Sequence, residues 1–378
     1  MAIQRAEIGV VGGGVAGLMV TDKLSRMGYK VTLVEKNNKL AGGPSTKNEG
    51  WLHAGGYNAG LYDDDARVRT VVGQIHYGRE QLLRLAPECV EEPGAPTLAL
   101  FHDENLAERA ERRYQELGVA HRPLTRREFE EDAPEVDHSQ VSHAYAMADS
   151  SVNFRMLYQK LLASSEQAGA TILTGTTLIP EEENRAALEL PDTSRSTLEA
   201  DIFICTTGLG TKAMFNGKAD LADRIRFWKS HSLIFPRLTK HDMYFVDPKE
   251  ASFMNHGGFS VGCQSEDDFL IEEPTFEVVA EPAREVYKAV TRLIPGAARY
   301  RDVYVANACV KPDIIQEKGM ARSVDNEIHE PLPNYLVAFP GKVTTSPLMA
   351  DRLVHAVFDR GSDDRIAMRP GDMVNFPQ

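Results

Sequence analysis

The stretch Ile8–Gly9–Val10–Val11–Gly12–Gly13–Gly14–Val15–Ala16–Gly17, closed by Lys30–Val31–Thr32–Leu33–Val34–Glu35, decides how this chain begins to fold. Its apolar, valine-rich opening reads as a buried strand. Gly12 permits a tight turn, and Gly14 lets the backbone approach a pyrophosphate. Gly17 lets the following helix pack on the sheet, with its positive end toward the phosphates. Glu35, at the end of the second strand, is placed to accept a hydrogen bond from a ribose hydroxyl, and its charge disfavours a cofactor carrying a 2′-phosphate. Glycine-rich turns are common; strand, helix, second strand and terminal acid in this order specify a bound dinucleotide.

The chain has 378 residues, enough to bury a substantial core and to divide into two domains. A formal charge of −13 with no basic run argues against nucleic acid or an anionic membrane as partner, although a local basic pocket for a small anion is compatible with it. No segment resembles a secretion signal, and no apolar stretch reaches about 18 residues, so no transmembrane segment and a cytoplasmic location are expected. Cys89, Cys205, Cys263 and Cys309 are scattered without a CxxC pair or zinc-ligand spacing. That argues against a disulfide-flavoprotein reductase and against a metal site.

Further along, residues 40–62 form a polar, glycine-rich loop too long for a mere connector, and such loops are usually functional. Helices are expected over 65–86, 106–117, 126–132 and 154–168, with short strands at 98–101 and 170–173. The polar run 181–196 reads as an exposed hairpin tip. Ala200–Thr206 is an apolar strand opening into Thr207–Gly208–Leu209–Gly210, a turn where a sheet meets a ligand. Between 225 and 310, the runs Ser232–Phe235, Tyr244–Val246, Phe259–Cys263 and Phe269–Ile271 suggest an antiparallel sheet. A helix over 274–293 is expected to break at Pro282, and Tyr335–Phe339 is the last strand before a final helix. The layout implies an α/β protein: a discontinuous, Rossmann-like dinucleotide domain (1–84, 145–212 and 325–378) with an inserted α+β cap built on an antiparallel sheet (85–144 and 213–324).

Asn48–Glu49–Gly50–Trp51–Leu52–His53–Ala54–Gly55–Gly56–Tyr57, with Ser45 and Thr46 before it, resembles the FAD loop of the D-amino-acid-oxidase-like flavoproteins, nearest to their 2-hydroxyglutarate and glycerol-3-phosphate dehydrogenase branch. Asp149–Asn153, Ala200–Gly208, Cys309–Pro312 and Asn334–Ala350 agree in order, so the resemblance spans most of the chain. It implies a glutathione-reductase-like FAD domain, FAD as cofactor, a small-molecule substrate and an electron acceptor that is oxygen, a quinone or a protein carrier. It also implies cofactor contacts from Val11, Gly12, Gly14, Val15, Ala16, Glu35, Lys36, Ser45, Thr46, Asn48, Trp51, Leu52, Leu178, Thr207, Gly208, Gly341, Lys342, Val343 and Thr344. Pro340–Gly341–Lys342–Val343–Thr344–Thr345–Ser346 looks like the family's glycine–lysine loop before the last helix. There the helix N-terminus and Lys342 would stabilise negative charge on the reduced flavin.

His53 lies in the loop that runs along the isoalloxazine in such proteins, where an imidazole accepts a hydroxyl or ammonium proton as hydride leaves the same carbon. A histidine of a similar loop links FAD covalently in some relatives, and a packing role is the plain alternative. Lys311–Pro312 stands where many relatives carry arginine–proline, and Lys47 where the hydroxyglutarate branch has arginine. Lysine gives charge without the planar fork, so the expected substrate contact is less rigid. Tyr57 is a candidate to border the substrate, as is Trp51; each also suits hydrophobic packing. Arg322 resembles a substrate-anion arginine or is a solvated surface residue. Cys309 is near a position of thioether attachment but suits a strand core. His231, His241 and His256 fall in the cap sheet without metal-site spacing, so structural roles are their default.

These residues lead to an FAD-dependent oxidoreductase, oxidase or dehydrogenase, acting on a CH–OH or CH–NH carbon. Gly341–Lys342 replaces the Gly–Asp of flavin hydroxylases, and an NAD-dependent dehydrogenase has no use for the 40–62 loop. A flavoprotein in which FAD is only structural, and an amine oxidase for a larger metabolite, are the remaining alternatives.

Overall fold

Ile8–Val11 is buried along its whole length and pairs in parallel with Val31–Val34 on one side and Ile202–Cys205 on the other. The computed structural model describes residues 3–5, 7–182, 184–264, 269–314 and 327–358. Contacts divide the chain into two units, one of Met1–Ser45, Tyr158–Ile225 and Ile314–Gln378, the other of Thr46–Leu157 and Arg226–Asp313.

In the first unit the sheet runs Thr171–Leu173, Val31–Val34, Ile8–Val11, Ile202–Cys205, Tyr335–Ala338 and Ile328–Leu332. All neighbours are parallel except the last pair. Apolar runs buried on both faces are what a parallel sheet flanked by helices requires. The helices Val15–Arg26 and Ser346–Phe358 pack on each other, tied by the Lys23–Asp351 ion pair. A second sheet joins Ile3–Arg5, Arg195–Glu199, Arg185–Glu189 and Thr177–Glu182. The run expected to be an exposed tip is thus mostly meander. Leu178, Ala186, Leu188 and Leu198 are buried, and alternation among charged residues masks that apolar face.

The second unit is built on a sheet in the order Phe269–Ile271, Ile225–Pro236, Phe259–Gln264, Ala251–His256, Met243–Phe245, Thr97–Phe101, His143–Met147 and His121–Pro123, with Val305–Ile314 also pairing Ile225–Pro236. Ala251–His256 escapes the sequence reading because its first five residues are all buried and show no alternation. The helix Ala280–Leu293 lays Val286, Val290 and Leu293 against Leu233, Phe235 and Phe253. It is not broken at Pro282. That proline falls in the first turn, where a missing N–H interrupts nothing, and the helix starts after Val279.

The long loop also carries more structure than its composition suggests. It contains the 3₁₀ turn Pro44–Thr46, the strand Trp51–Leu52 and the helix Gly56–Leu61. Trp51–Leu52 pairs with Ser150–Val152, while Ala59 joins Val68, Val72, Phe101 and Tyr244 in one core. These contacts group 46–84 and 145–157 with the cap sheet, whereas the sequence layout assigns them to the nucleotide pieces.

Candidate active site

The turn after Ile8–Val11 is shaped by what cannot fit there. Gly12 has φ +100°, and a Cβ on it would stand 2.7 Å from the Thr206 carbonyl oxygen; one on Gly17 would stand 1.9 Å from the Gly12 oxygen. Thr206 Oγ1 donates toward the Val11 and Gly12 carbonyls, both at 3.1 Å, which seats the Thr206–Gly208 turn against the glycines. Gly14 is different, since a Cβ there meets only Ser45 Oγ at 3.1 Å, a side chain that can move.

The helix Val15–Arg26 begins at Gly14 with no side-chain cap and no acid in its first turn. Ser45 Oγ accepts from Val15 N at 3.1 Å. A helix start behind a glycine turn, with no acid in its first turn, leaves partial positive charge for an anion, and this cradle fits the pyrophosphate of a dinucleotide. Glu35 is buried; its Oε2 accepts from Gly13 N at 2.8 Å and its Oε1 from Asn37 N and Nδ2 at 2.9 and 2.6 Å. A carboxylate offers about four lone-pair sites, so one acceptor position remains for a ribose hydroxyl.

Other expected cofactor residues scatter around this frame. Val11 and Ala16 are buried, Lys36 is exposed, and Thr207 shares a hydrogen bond with Thr211 at 2.7 Å beside Gly208 at φ +53°. Leu178 is buried in the meander, opposite Leu188. Gly341, at φ +58°, turns the chain into Lys342–Thr345, where Thr344 is fully buried and Thr345 N donates to the Lys342 carbonyl at 3.2 Å. Val343 accepts from Ser346 N at 3.0 Å, and no acid follows in the first turn of Ser346–Phe358. The positive end of this helix is thus not offset by an acid of its own first turn.

In the second unit the long loop presents His53. Its ring stacks on Trp51, with centroids 5.8 Å apart at 16°, and its Nδ1 faces Asp149 Oδ1 at 3.8 Å. Asp149 accepts from Ala54 N at 2.7 Å and from the Tyr244 hydroxyl at 3.3 Å. Burial pushes the Asp149 carboxyl up to about 6, against the lowering effects of Ala54 N, Arg79 and Tyr244. Tyr57 and Trp51 both meet Tyr244 edge-on, at 5.6 and 5.7 Å. Leu52 is buried, Thr46 is exposed, and Asn48 Oδ1 accepts from Gly50 N at 3.0 Å.

A polar face of the cap sheet gathers Lys311, whose Nζ donates to Ser230 Oγ at 3.0 Å, and Asn307, whose Nδ2 donates to the Lys47 carbonyl at 2.9 Å. Lys47 Nζ lies 4.7 Å over the Phe276 ring. Arg322 lies outside the described residues, and Cys309 is buried in its strand. His231 Nε2 accepts from Val279 N at 3.0 Å, a structural role, and His241 is buried 3.7 Å from Asp132.

Sequence reasoning did not single out the buried Asp149 carboxylate beside His53, nor the fastening of the loop by His256. The His256 Nδ1 faces Glu91 and its Nε2 faces the Glu49 carbonyl at 2.8 Å. Burial opposes its charge, but Glu91 and the Glu49 carbonyl hold its pKa above the ordinary value. Both neighbours are acceptors, which favours hydrogen on the ring nitrogens facing them, and the ring ties Glu49–Gly50 to Glu91. The only signal for Asp149 in the sequence is an acid interrupting an otherwise strand-forming run, Ala146–Met147–Ala148–Asp149–Ser150–Ser151–Val152.

A family model described as DAO, FAD dependent oxidoreductase, matches residues 7–356. This chain belongs to that family. Its cofactor is FAD, in keeping with the glycine cradle and Glu35. A probable FAD-dependent oxidoreductase of Pseudomonas aeruginosa is 25% identical over 400 residues, covering 98% of this chain and 94% of that protein. A D-erythritol 1-phosphate dehydrogenase of Brucella abortus is 25% identical over 382 residues, covering 93% and 73%. Among solved structures, a glycine oxidase from Geobacillus kaustophilus superposes with a TM-score of 0.72 at 17% identity over 95% of this chain and 96% of that one. The proteins this chain resembles thus include one named for an alcohol donor and one named for an amine donor. No helix among the described residues is long and apolar enough to cross a membrane.

Proposed function

We propose that this oxidoreductase takes hydride from a carbon bearing a hydroxyl or an amine on a small polar substrate, producing a carbonyl or an imine. FAD supplies the two-electron acceptor of that chemistry. Residues Gly12, Gly14, Val15, Ala16, Glu35, Ser45, Thr207 and Gly208 hold its nucleotide and pyrophosphate, and Gly341–Thr344 with the start of Ser346–Phe358 offset the negative charge of the reduced ring. His53 takes the proton of the hydroxyl or ammonium, and Lys311 with Lys47 attracts an anionic group of the substrate without the bidentate geometry of arginine.

The observation that carries this reading is the environment of His53, a ring stacked on Trp51 and facing the buried carboxylate of Asp149. Hydroxy acids and polyol phosphates lead as donors because the loop resembles that branch and because the Brucella abortus relative is named for such a substrate. Amino acids come next. The test is anaerobic mixing of the FAD-loaded protein with glycerol 3-phosphate, D-erythritol 1-phosphate, L-2-hydroxyglutarate, glycine and L-proline, followed by loss of the yellow absorbance. Bleaching by a hydroxyl donor supports the proposal in its leading form, and bleaching by amines alone moves it to CH–NH donors. No bleaching across a wider set of the same classes favours a protein in which FAD is structural. Repeating turnover with and without oxygen sorts oxidase from dehydrogenase.

A further inference from the structure

We infer that Asp149 is a positioning residue for His53, holding the imidazole so that Nδ1 carries hydrogen toward the carboxylate and Nε2 is left as the proton acceptor. The inference rests on the reading of His53 as the base.

Three observations lead to it. Asp149 Oδ1 accepts from the amide of Ala54, the next residue, and lies within ion-pair reach of Nδ1 at 3.8 Å, so the oxygen that anchors the backbone beside His53 also sets the field at the ring's Nδ1 edge. Trp51 fixes the ring plane. The Asp149 side chain is wholly buried, and satisfying Ala54 N and the Tyr244 hydroxyl needs an acceptor but no charge. Ala54 N donates to Oδ1 and the Tyr244 hydroxyl to Oδ2, so an asparagine would keep the first contact with its oxygen and turn its NH2 to the tyrosine hydroxyl, which can accept, without the cost of burying an anion. A carboxylate there does what an amide cannot. It favours the Nδ1–H tautomer and stabilises the imidazolium that forms when the proton arrives.

Among the described residues, several titratable or charged groups lie around it. Besides His53 and Tyr244 they are Arg79, whose Nη2 donates to the Ala148 carbonyl at 2.8 Å; His76, whose Nε2 meets the Ala54 carbonyl at 3.0 Å; and Tyr114, which donates to the Gly56 carbonyl at 3.2 Å. Arg79 is the competitor for the carboxylate. Were Asp149 there only as its counter-ion, the charge would serve the fold and not the base.

The experiment uses FAD-loaded protein with isotope-labelled histidine, the His53 signal being identified by its loss in His53→Gln. Asp149→Asn is expected to lower the His53 pKa by about one unit and to move the ring away from the Nδ1–H tautomer, while Asp149→Glu restores both in part. With whichever of the five donors above bleaches the flavin, Asp149→Asn is expected to slow reduction roughly ten- to a hundred-fold at the high-pH plateau, and to add nothing in a His53→Gln background. A thermal melt separates function from structure. The Asp149 carboxyl titrates higher in the fold than in the unfolded chain, so its charge costs stability above about pH 6, and the cost fades as pH falls toward 4. Asp149→Asn should therefore melt higher than the parent at pH 8 and no higher near pH 4. An unmoved His53 pKa and tautomer in Asp149→Asn, or a lower melt at pH 8, overturns the inference while leaving His53 as base. Parental reduction rates in His53→Gln instead remove the base reading on which it rests.

Discussion

Lys342 and Gly14 offer matched tests of the proposed cofactor contacts, one at the glycine–lysine turn and one at the glycine cradle. Replacing Lys342 by methionine keeps the chain length and removes the charge. Flavin reduction is expected to slow roughly ten- to a hundred-fold, with substrate Kd nearly unchanged and a more negative flavin potential; stopped-flow titration checks the first two. Gly14→Ala places a methyl near Ser45 Oγ, which can yield, so the melting temperature of the apoprotein should hold while FAD affinity falls, as fluorescence quenching would show. Gly17→Ala has no such room and should lose the fold along with the cofactor. The tight turn at Gly12 and the buried acid ending the second strand were legible in the sequence because a strand–turn–helix unit imposes local spacing. His53 was singled out only through the loop's resemblance. Asp149 was not, since full burial of a carboxylate ninety-odd positions away depends on which strands come to pair.

The helix Gly56–Leu61 has Gly55 at φ +98° before it and no side-chain cap, so its hold comes from elsewhere. Arg113, buried on the helix Glu104–Leu117, donates to the carbonyls of Ala59, Tyr62 and Asp63 at 2.9, 2.6 and 3.0 Å and pairs with Asp65. Arg113→Ala leaves those carbonyls without their donor and should cost about 2–4 kcal/mol in urea unfolding. Arg113→Lys cannot reproduce the fork and should recover little. Amide exchange of residues 56–65 should rise in both. Elements with a clear period or cap were readable beforehand: 65–86 and 126–132 were expected and appear as Asp65–Leu85 and Arg126–Asp132, the latter opened by a Thr125–Glu128 capping box. The short helix at 56 and the strand Ala251–His256 were not, because glycine-rich and uniformly buried runs carry no periodic signal.

FAD binding to the folded chain should raise the whole molecule's stability by about 2.7 kcal/mol at a hundred times Kd, whereas NADP⁺ at equal concentration should give no thermal shift because Glu35 repels its 2′-phosphate. The division of the chain into a dinucleotide part and a sheet-based part was visible in the return of strand–turn patterns after long insertions. Where 46–84 and 145–157 belong was not, for that depends on pairing between Trp51–Leu52 and Ser150–Val152. The parallel sheet has one more consequence. Ile202–Cys205 is flanked by Ile8–Val11 on one side and by Tyr335–Ala338 on the other, so its second flank is satisfied by a segment that leaves the ribosome much later. At about 5–20 residues per second, translation of the intervening stretch lasts roughly six to twenty-six seconds. Through that interval a nascent chain exposes an apolar strand edge prone to aggregate. Coenzyme capture is then a post-translational event, and products ending before Tyr335 should accumulate as colourless insoluble material.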